Sequence, residues 1–378
     1  MNSWTSLLVA VVALGAPLTA RAQDRLLDET VSLTGAVLYH SLGAPGLVIG
    51  VVRNGKTAVA GYGRSRDADE RPPDGDTLMR IGSITKAFTG TVLASLVADG
   101  TVGFTDRLDR HLDWGVTIPA RDGRTIRLVD LATHTSGLPR EIEREPSPPD
   151  DPMQSLTREA FVANLKQDPL LFTPGTGALY SNFAFDLLAA ALSSAARQPY
   201  ADLLRERVLQ PAGLAATTFS PTDRQRKDLM QGHDFDGSPM PDVPTSPMAV
   251  GSGGLYSSTN DMLRWLSWHL DRGAQASAEI RLLDHAAYIP RDSLRLAYGL
   301  DESGHMDAMG LGWIVMHAEG NRPTMLQKAG GLQGVFTYTA FAPSHGIGVF
   351  VAINRFNFPA AMTMAKVVND LIGELAPR

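Results

Sequence analysis

The chain has 378 residues, of which 44% are hydrophobic and 20% charged. That balance supports a full core and excludes a disordered, collagen-like or coiled-coil chain, and at roughly 150 residues per domain the length points to two domains or one large composite one. Thirty-four basic and 40 acidic side chains give a net charge of −6 and there is no cysteine, so there is no electrostatic footprint for nucleic acid and no disulfide, thiolate metal site or cysteine nucleophile.

The first 22 residues read as an export signal. Residues 7–15 form an apolar run too short to span a bilayer, and Ala20-Arg21-Ala22 is a small-x-small cleavage site ahead of Gln23. The expected location is the periplasm. In the mature chain, 23–42 has helical apolar spacing through Leu26, Leu27, Val31, Leu33, Val37 and Leu38. Residues 46–53 and 57–62 are short β-type runs around Asn54-Gly55 and predict a hairpin, and 77–81 predicts a third strand. From 83 to 98 the pattern is helical, ending at Asp99-Gly100.

The middle, about 105–290, reads as mostly helical, with helices over 158–167, 183–197, 200–209 and 259–270; 141–152 and 221–247 are its loosest stretches. Strands return over 312–317, 324–328, 334–342 and 347–354, and an amphipathic helix closes the chain over 360–375. A lone hairpin is marginal, so the strands at both ends must share one sheet. The expectation is an α/β (α+β) fold. Residues 23–82 and 300–378 would form an antiparallel sheet flanked by the terminal helices, and 83–299 a mainly helical domain. A cleft between the two is the favoured place for a site.

Three short motifs carry the chemistry. Lysine is scarce, with six against 28 arginines. One lysine lies in Gly82-Ser83-Ile84-Thr85-Lys86, where a predicted strand gives way to a helix. Positions three apart share a helix face, so the Lys86 amine can reach the Ser83 hydroxyl. A serine is a weak nucleophile until a neighbour takes its proton, and a lysine buried beside other cations can be neutral near pH 7. The second motif, Tyr180-Ser181-Asn182, follows the turn Pro174-Gly175-Thr176-Gly177. Tyr180 can carry a proton to a leaving group and later draw one from water. Asn182 offers a donor and an acceptor to a peptide carbonyl or to Lys86. The third, Lys328-Ala329-Gly330-Gly331, ends a predicted strand. Its glycines permit close approach of a ligand, the Gly331 and Ser83 N–H groups can form an oxyanion hole, and Lys328 adds positive potential.

These motifs, in this order, resemble the serine penicillin-recognising enzymes, which carry S-x-x-K, and within them the class C β-lactamase-like branch, where the second motif is Y-x-N. Stretches 128–141, 180–192, 251–266, 310–315 and 327–331 extend the resemblance to AmpH-type penicillin-binding proteins. It implies a β-lactamase/transpeptidase-like fold and a periplasmic D-alanyl-D-alanine carboxypeptidase/endopeptidase. The substrate would be a peptidoglycan peptide, β-lactam antibiotics would acylate Ser83, and no cofactor, metal or nucleic acid would take part. It places catalytic roles on Ser83, Lys86 and Tyr180, and substrate binding on Asn182, Lys328, Gly330 and Gly331. A class C-type β-lactamase and a carboxylesterase of the same fold are the alternatives.

One residue departs from the family pattern. The third motif usually reads K-T-G, and Ala329 lacks that hydroxyl. A lost hydrogen bond to a charged group is worth about 1.5–3 kcal/mol, so recognition of a terminal carboxylate would need help, for which Arg355 and Thr337 are candidates. Other suggestive residues read as structure. His134-Thr135-Ser136-Gly137 ends a helical pattern. His233 has no second histidine at ligand spacing. Gly251-Ser252-Gly253-Gly254 lacks the phosphate-loop lysine and reads as a tight turn by the cleft. Trp265 and Trp268 lie on an apolar helix stripe.

Overall fold

The structure is a computed structural model that describes residues 16–376. Helix α1 (Ala16–Leu42) leads into strands β1 (Gly46–Arg53) and β2 (Lys56–Gly63). At their turn Asn54 and Gly55 have φ of 51° and 79°, the left-handed pair that a two-residue hairpin loop needs and that Asn-Gly supplies at least cost. Strand β3 (Leu78–Arg80) runs through a 3₁₀ turn over Gly82–Ile84 into α2 (Thr85–Ala98). The middle of the chain holds helices α3 (Leu128–Ala132), α4 (Arg158–Lys166), α5 (Asn182–Ala196), α6 (Tyr200–Leu204), α7 (Asp223–Lys227), α8 (Thr259–Leu270) and α9 (Ala278–Asp284). Short strands lie among them: β4 (Ala120–Arg121), β5 (Arg124–Thr125), β6 (Ala178–Leu179), β7 (Tyr256–Ser258), β8 (Ile289–Pro290) and β9 (Ala297–Tyr298). Strands β10 (Ala308–Met309), β11 (Ile314–Met316), β12 (Met325–Leu332), β13 (Val335–Ala342) and β14 (Ile347–Ile353) precede the last helix, α10 (Phe358–Leu375).

Eight strands form one antiparallel sheet in the order β2-β1-β14-β13-β12-β11-β10-β8. The two ends of the chain meet inside it, where β1 pairs with β14 and Leu47 faces Ile353. Strands β13 and β14 are buried along their whole length, because both faces of the sheet are covered. One face packs on α1 and α10 through Val31, Leu38, Met364 and Val368. The other packs on the central helices, where Val48, Phe341 and Phe350 meet Leu263 and Trp265. Helix α2 is buried from Thr85 to Leu96, as a helix enclosed by protein on every side must be. Trp265 stacks on Phe88 of α2 with ring centroids 3.8 Å apart, while Trp268 is half-buried beneath Arg281.

The structure corrects two expectations. Residues 77–81 do not join the large sheet, since β3 pairs with β7 instead. The reason is Arg80, only 2% exposed, whose guanidinium needs the partners found beside β7: it ion-pairs with Asp242 at 3.0 Å and lies over the Tyr256 ring. The second is the third motif, which lies inside a strand and not at its end. Strand β12 continues to Leu332, with Gly330 opposite Thr337 and Gly331 opposite Phe336, and turns only at Gln333 and Gly334, with φ of 49° and 72°. The apolar run 7–15 lies outside the described residues, and α1 begins ahead of the expected cleavage site. Among the described residues no helix is long and apolar enough to cross a membrane.

A polar cluster sits where α2 meets α9. Asp284 is wholly buried and accepts hydrogen bonds from Trp313 Nε1 at 3.1 Å and Thr91 Oγ1 at 3.4 Å; burial pushes its carboxyl up to about 8. Beside it His269 Nδ1 and His285 Nε2 are 2.9 Å apart. That hydrogen bond occupies those two nitrogens, and Phe341 stacks on the His269 ring; His269 Nε2 and Asp284 Oδ1 have no hydrogen-bond partner among the described residues.

The segment that precedes Trp313 also sets the position of α2. A Cβ on Gly90 would lie 1.9 Å from the Leu311 carbonyl oxygen. Gly90→Ala is therefore expected to cost about 1–3 kcal/mol through overpacking, measured by denaturant unfolding. Gly103→Ala, whose nearest neighbour would be 3.4 Å away, should stay within about 0.5 kcal/mol of wild type.

Candidate active site

Gly82 has φ of 50°, and an added Cβ would meet the Gly331 nitrogen at 2.6 Å. Glycine is required there on both counts. The tight turn it makes delivers Ser83 to the start of α2, half-buried at the mouth of a cleft. One turn on, Lys86 is wholly buried. Its Nζ lies 3.2 Å from Ser83 Oγ, 2.6 Å from Asn182 Oδ1 and 2.6 Å from the Ser252 carbonyl oxygen. The two carbonyl acceptors take two N–H bonds. A neutral amine then has its lone pair left for the Ser83 hydroxyl, which is the arrangement a base requires.

Burial pulls the Lys86 amine down to about 7, Asp186 and Glu141 act upward, and Arg140 adds to the fall. Asn182 opens α5, where Ser181 caps the helix by accepting from the Ala184 N–H at 3.0 Å. The Asn182 side-chain amide donates to Glu141, and its backbone N–H donates to the Arg140 carbonyl at 2.8 Å. The amide orientation is thus set from both sides, with its oxygen toward Lys86.

Tyr180 completes the group. Its ring centroid is 4.8 Å from Lys86 Nζ, 4.7 Å from Lys328 Nζ and 4.8 Å from Arg140 Cζ, all within cation–π range. Lys328 is buried, and desolvation lowers its affinity for a proton, as does Lys86, while Tyr180 and Glu302 act the other way. Behind Tyr180 the buried His134 ring stacks at 4.6 Å. His134 Nδ1 accepts from the Ser181 N–H at 3.0 Å, and its own backbone, at φ 59°, sits just past the end of α3. Burial first, then Lys328, Lys86 and Arg140, hold the imidazole well below its usual range, so it is a neutral packing surface for the tyrosine.

The seven residues singled out in the sequence therefore converge. Ser83 lies between two cavities. One, of about 400 Å³, is lined by Tyr180, Lys328, Gly330 and Gly331 together with Arg140 and Glu302; the other, of about 290 Å³, by Asn182, Glu141, Asp186 and Ser252. A Cβ on Gly330 would strike the Ile81 carbonyl oxygen at 2.0 Å and the Ser83 nitrogen at 2.9 Å, so strand β12 is seated directly against the turn that holds the serine. Neither candidate for replacing the missing hydroxyl of Ala329 faces the cleft. Thr337 is buried, its one hydroxyl proton shared between the Ile81 and Gly330 carbonyls at 3.0 and 3.1 Å. Arg355 donates to the Phe235 carbonyl at 2.7 Å. Arg140 and Lys328 are the cations that line that cavity.

Sequence reasoning passed over Arg140, Glu141, Asp186 and the contact between His134 and Tyr180. No spacing marks the first three; they are brought in by the loop after α3 and by the buried face of α5.

The β-lactamase family profile matches residues 24–373. The chain belongs to the β-lactamase family. The D-alanyl-D-alanine-carboxypeptidase/endopeptidase AmpH of Escherichia coli (strain K12) is 34% identical over 352 residues, covering 90% of this chain and 87% of that protein. A β-lactamase of Pseudomonas fluorescens is 26% identical, covering 88% and 94%. The crystal structure of a β-lactamase/D-alanine carboxypeptidase from Yersinia pestis, in complex with citrate, superposes with a TM-score of 0.83 at 36% identity, over 93% of this chain and 99% of that one. A class C β-lactamase at 17% identity shares the fold with a TM-score of 0.78, over 94% and 98%.

In this β-lactamase-family site, the rate at which p-nitrophenyl acetate acylates Ser83 should rise tenfold per pH unit and level off above about 7, where the Lys86 amine loses its proton. Removing that base, in Lys86→Ala, should slow the reaction by about 10²-fold or more. Stopped-flow release of p-nitrophenol checks both.

Proposed function

We propose that this protein is a serine DD-peptidase that cleaves D-alanyl-D-alanine and related peptide bonds of peptidoglycan through an acyl-enzyme on Ser83. The observation that carries the reading is the Lys86 amine held at 3.2 Å from Ser83 Oγ by two carbonyl acceptors. The 34% identity to AmpH over 90% of the chain supports the choice of substrate. Export to the periplasm belongs to the same proposal and rests on residues 7–15 and the Ala20-Arg21-Ala22 site.

In this reading Ser83 Oγ attacks the carbonyl carbon of the scissile amide while Lys86 takes the hydroxyl proton. Charge gathers on the carbonyl oxygen beside the Ser83 and Gly331 backbone, where amide donors would stabilise it. The C–N bond then breaks. The amine leaves with a proton delivered through Tyr180, which lies between the two lysines, and the acyl group stays on Ser83. Water, deprotonated by the same phenol and amine, hydrolyses the ester and returns the proton to the serine. Asn182 orients the acyl side of the peptide, and Lys328 with Arg140 draws the terminal carboxylate into the cavity of about 400 Å³.

Benzylpenicillin closes on the same serine, and intact-mass analysis over time distinguishes the outcomes. The proposal predicts a stoichiometric, slowly lost adduct that Ser83→Ala abolishes, and release of D-alanine from a muropeptide pentapeptide. Rapid loss of the adduct without D-alanine release would instead make the protein a β-lactamase. No adduct, with brisk hydrolysis of p-nitrophenyl butyrate, would make it an esterase. Because Ala329 leaves the carboxylate short of one hydrogen bond, Ala329→Thr should raise the second-order acylation constant for benzylpenicillin by about tenfold.

A further inference from the structure

Asp186 is the buried carboxylate closest in the hydrogen-bond network to the Lys86 amine, and the mechanism above does not use it. It lies one turn beyond Asn182 on α5 and is 5% exposed. Oδ1 accepts from the Ser252 N–H at 2.9 Å and Oδ2 from the Ser252 hydroxyl at 3.0 Å. The carbonyl of that same residue accepts from Lys86 Nζ at 2.6 Å. Ser252 is thus gripped at its N–H and hydroxyl by the carboxylate and at its carbonyl by the amine. We propose that Asp186 is a positioning residue for Lys86: it clamps the Ser252 residue whose carbonyl orients the amine, and it supplies the buried negative charge that balances the amine when it carries a proton.

This inference rests on the reading of Ser83 and Lys86 as nucleophile and base. Facing the pair are Lys328 on β12 and the buried His134 after α3, both of whose proton affinities Lys86 lowers, Tyr180, whose ring lies 4.8 Å from Lys86 Nζ, and further groups around them. Lys86 is on α2. Glu141 and Arg140, on the loop after α3, act upward and downward respectively on the Lys86 proton affinity. Tyr200 is on α6, and Ser252 on the turn before β7. Among these, Asp186 leads the charges that favour the ammonium form. Burial raises its own carboxyl, to about 8, against the downward pull of Lys86 and Ser252, and with both oxygens accepting from Ser252 the ionised form is the one the geometry holds. Asp186 lines the cavity beside Ser83 and a second one with Trp114, Arg197 and Tyr200.

Asparagine in place of Asp186 separates charge from geometry. Its amide oxygen can accept from the Ser252 N–H as Oδ1 does, and its amide nitrogen can donate to the hydroxyl oxygen. Without the negative charge, the ammonium form of Lys86 is less favoured, so the base is free at lower pH. In Asp186→Asn the acid limb of p-nitrophenyl acetate acylation should move down by about one pH unit. At pH 5.5 the rate, relative to its own high-pH plateau, should then be about tenfold that of wild type. Ser252→Ala keeps both backbone contacts, so it should fold normally, and should move the limb the same way by a smaller amount, because it loses the hydroxyl that favours the Asp186 anion.

An acid limb unmoved in both variants overturns the inference, and so does a uniform loss of rate at every pH, which is what a merely structural clamp gives. The reading beneath it fails separately: wild-type enzyme that is never acylated at Ser83 refutes the site itself.

Discussion

Everything in the site depends on a lysine amine removed from water and held in one direction. An ammonium in a protein interior carries a desolvation cost of several kcal/mol unless partners replace its hydration. Lys86 has three partners, and two of them are carbonyl oxygens that do not change with pH. The compromise is an amine that loses its proton near neutrality while its remaining direction points at Ser83. Removing an acceptor would let the amine turn. Widening the cavity would let water in and restore ordinary lysine basicity. The packing around Lys86, including the Gly312 backbone, to which an added Cβ would bring a clash with the Lys86 carbonyl oxygen at 2.6 Å, is therefore part of the chemistry.

The fold makes that burial possible by joining distant parts of the chain. Strand β12 reaches the serine turn only because glycine stands at positions 82 and 330, and Thr337 fastens the two by sharing its one hydroxyl proton between the Ile81 and Gly330 carbonyls. Helix α5 enters from the opposite side; its first residue gives Asn182 to the amine directly, and Asp186, one turn on, reaches it through Ser252. Tyr180 then has one position open to it, between Lys86 and Lys328 and against the flat face of His134. The cations that surround its ring come from α2, β12 and the loop after α3, so the phenol senses all three walls at once.

Much of this was legible in the sequence, for physical reasons that can be named. Asn54-Gly55 between two apolar runs specifies a hairpin because few other pairs accept two positive φ values. Ser83 and Lys86 are three apart on a helix, so their meeting follows from local geometry. The sheet was legible because strands at both ends had no other partner. What could not be read is non-local. Arg80 drew β3 away from the sheet through partners at 242–245 and 256, far along the chain. Strand β12 ran past its glycines because β13 pairs with them, a fact no local propensity contains. His134 ends α3, as its setting suggested, yet its ring also supports Tyr180. Arg140, Glu141 and Asp186 owe their importance wholly to what tertiary structure places beside Lys86.

The central claim concerns one amine, and NMR can observe it without any substrate. With six lysines in the chain, the Cε resonance of each can be followed as pH is raised, and Lys86→Met identifies the one in question. The account predicts a Lys86 midpoint near 7, against the ordinary lysine value of 10.5. A Lys86 resonance that still reports an ammonium at pH 9 would contradict it.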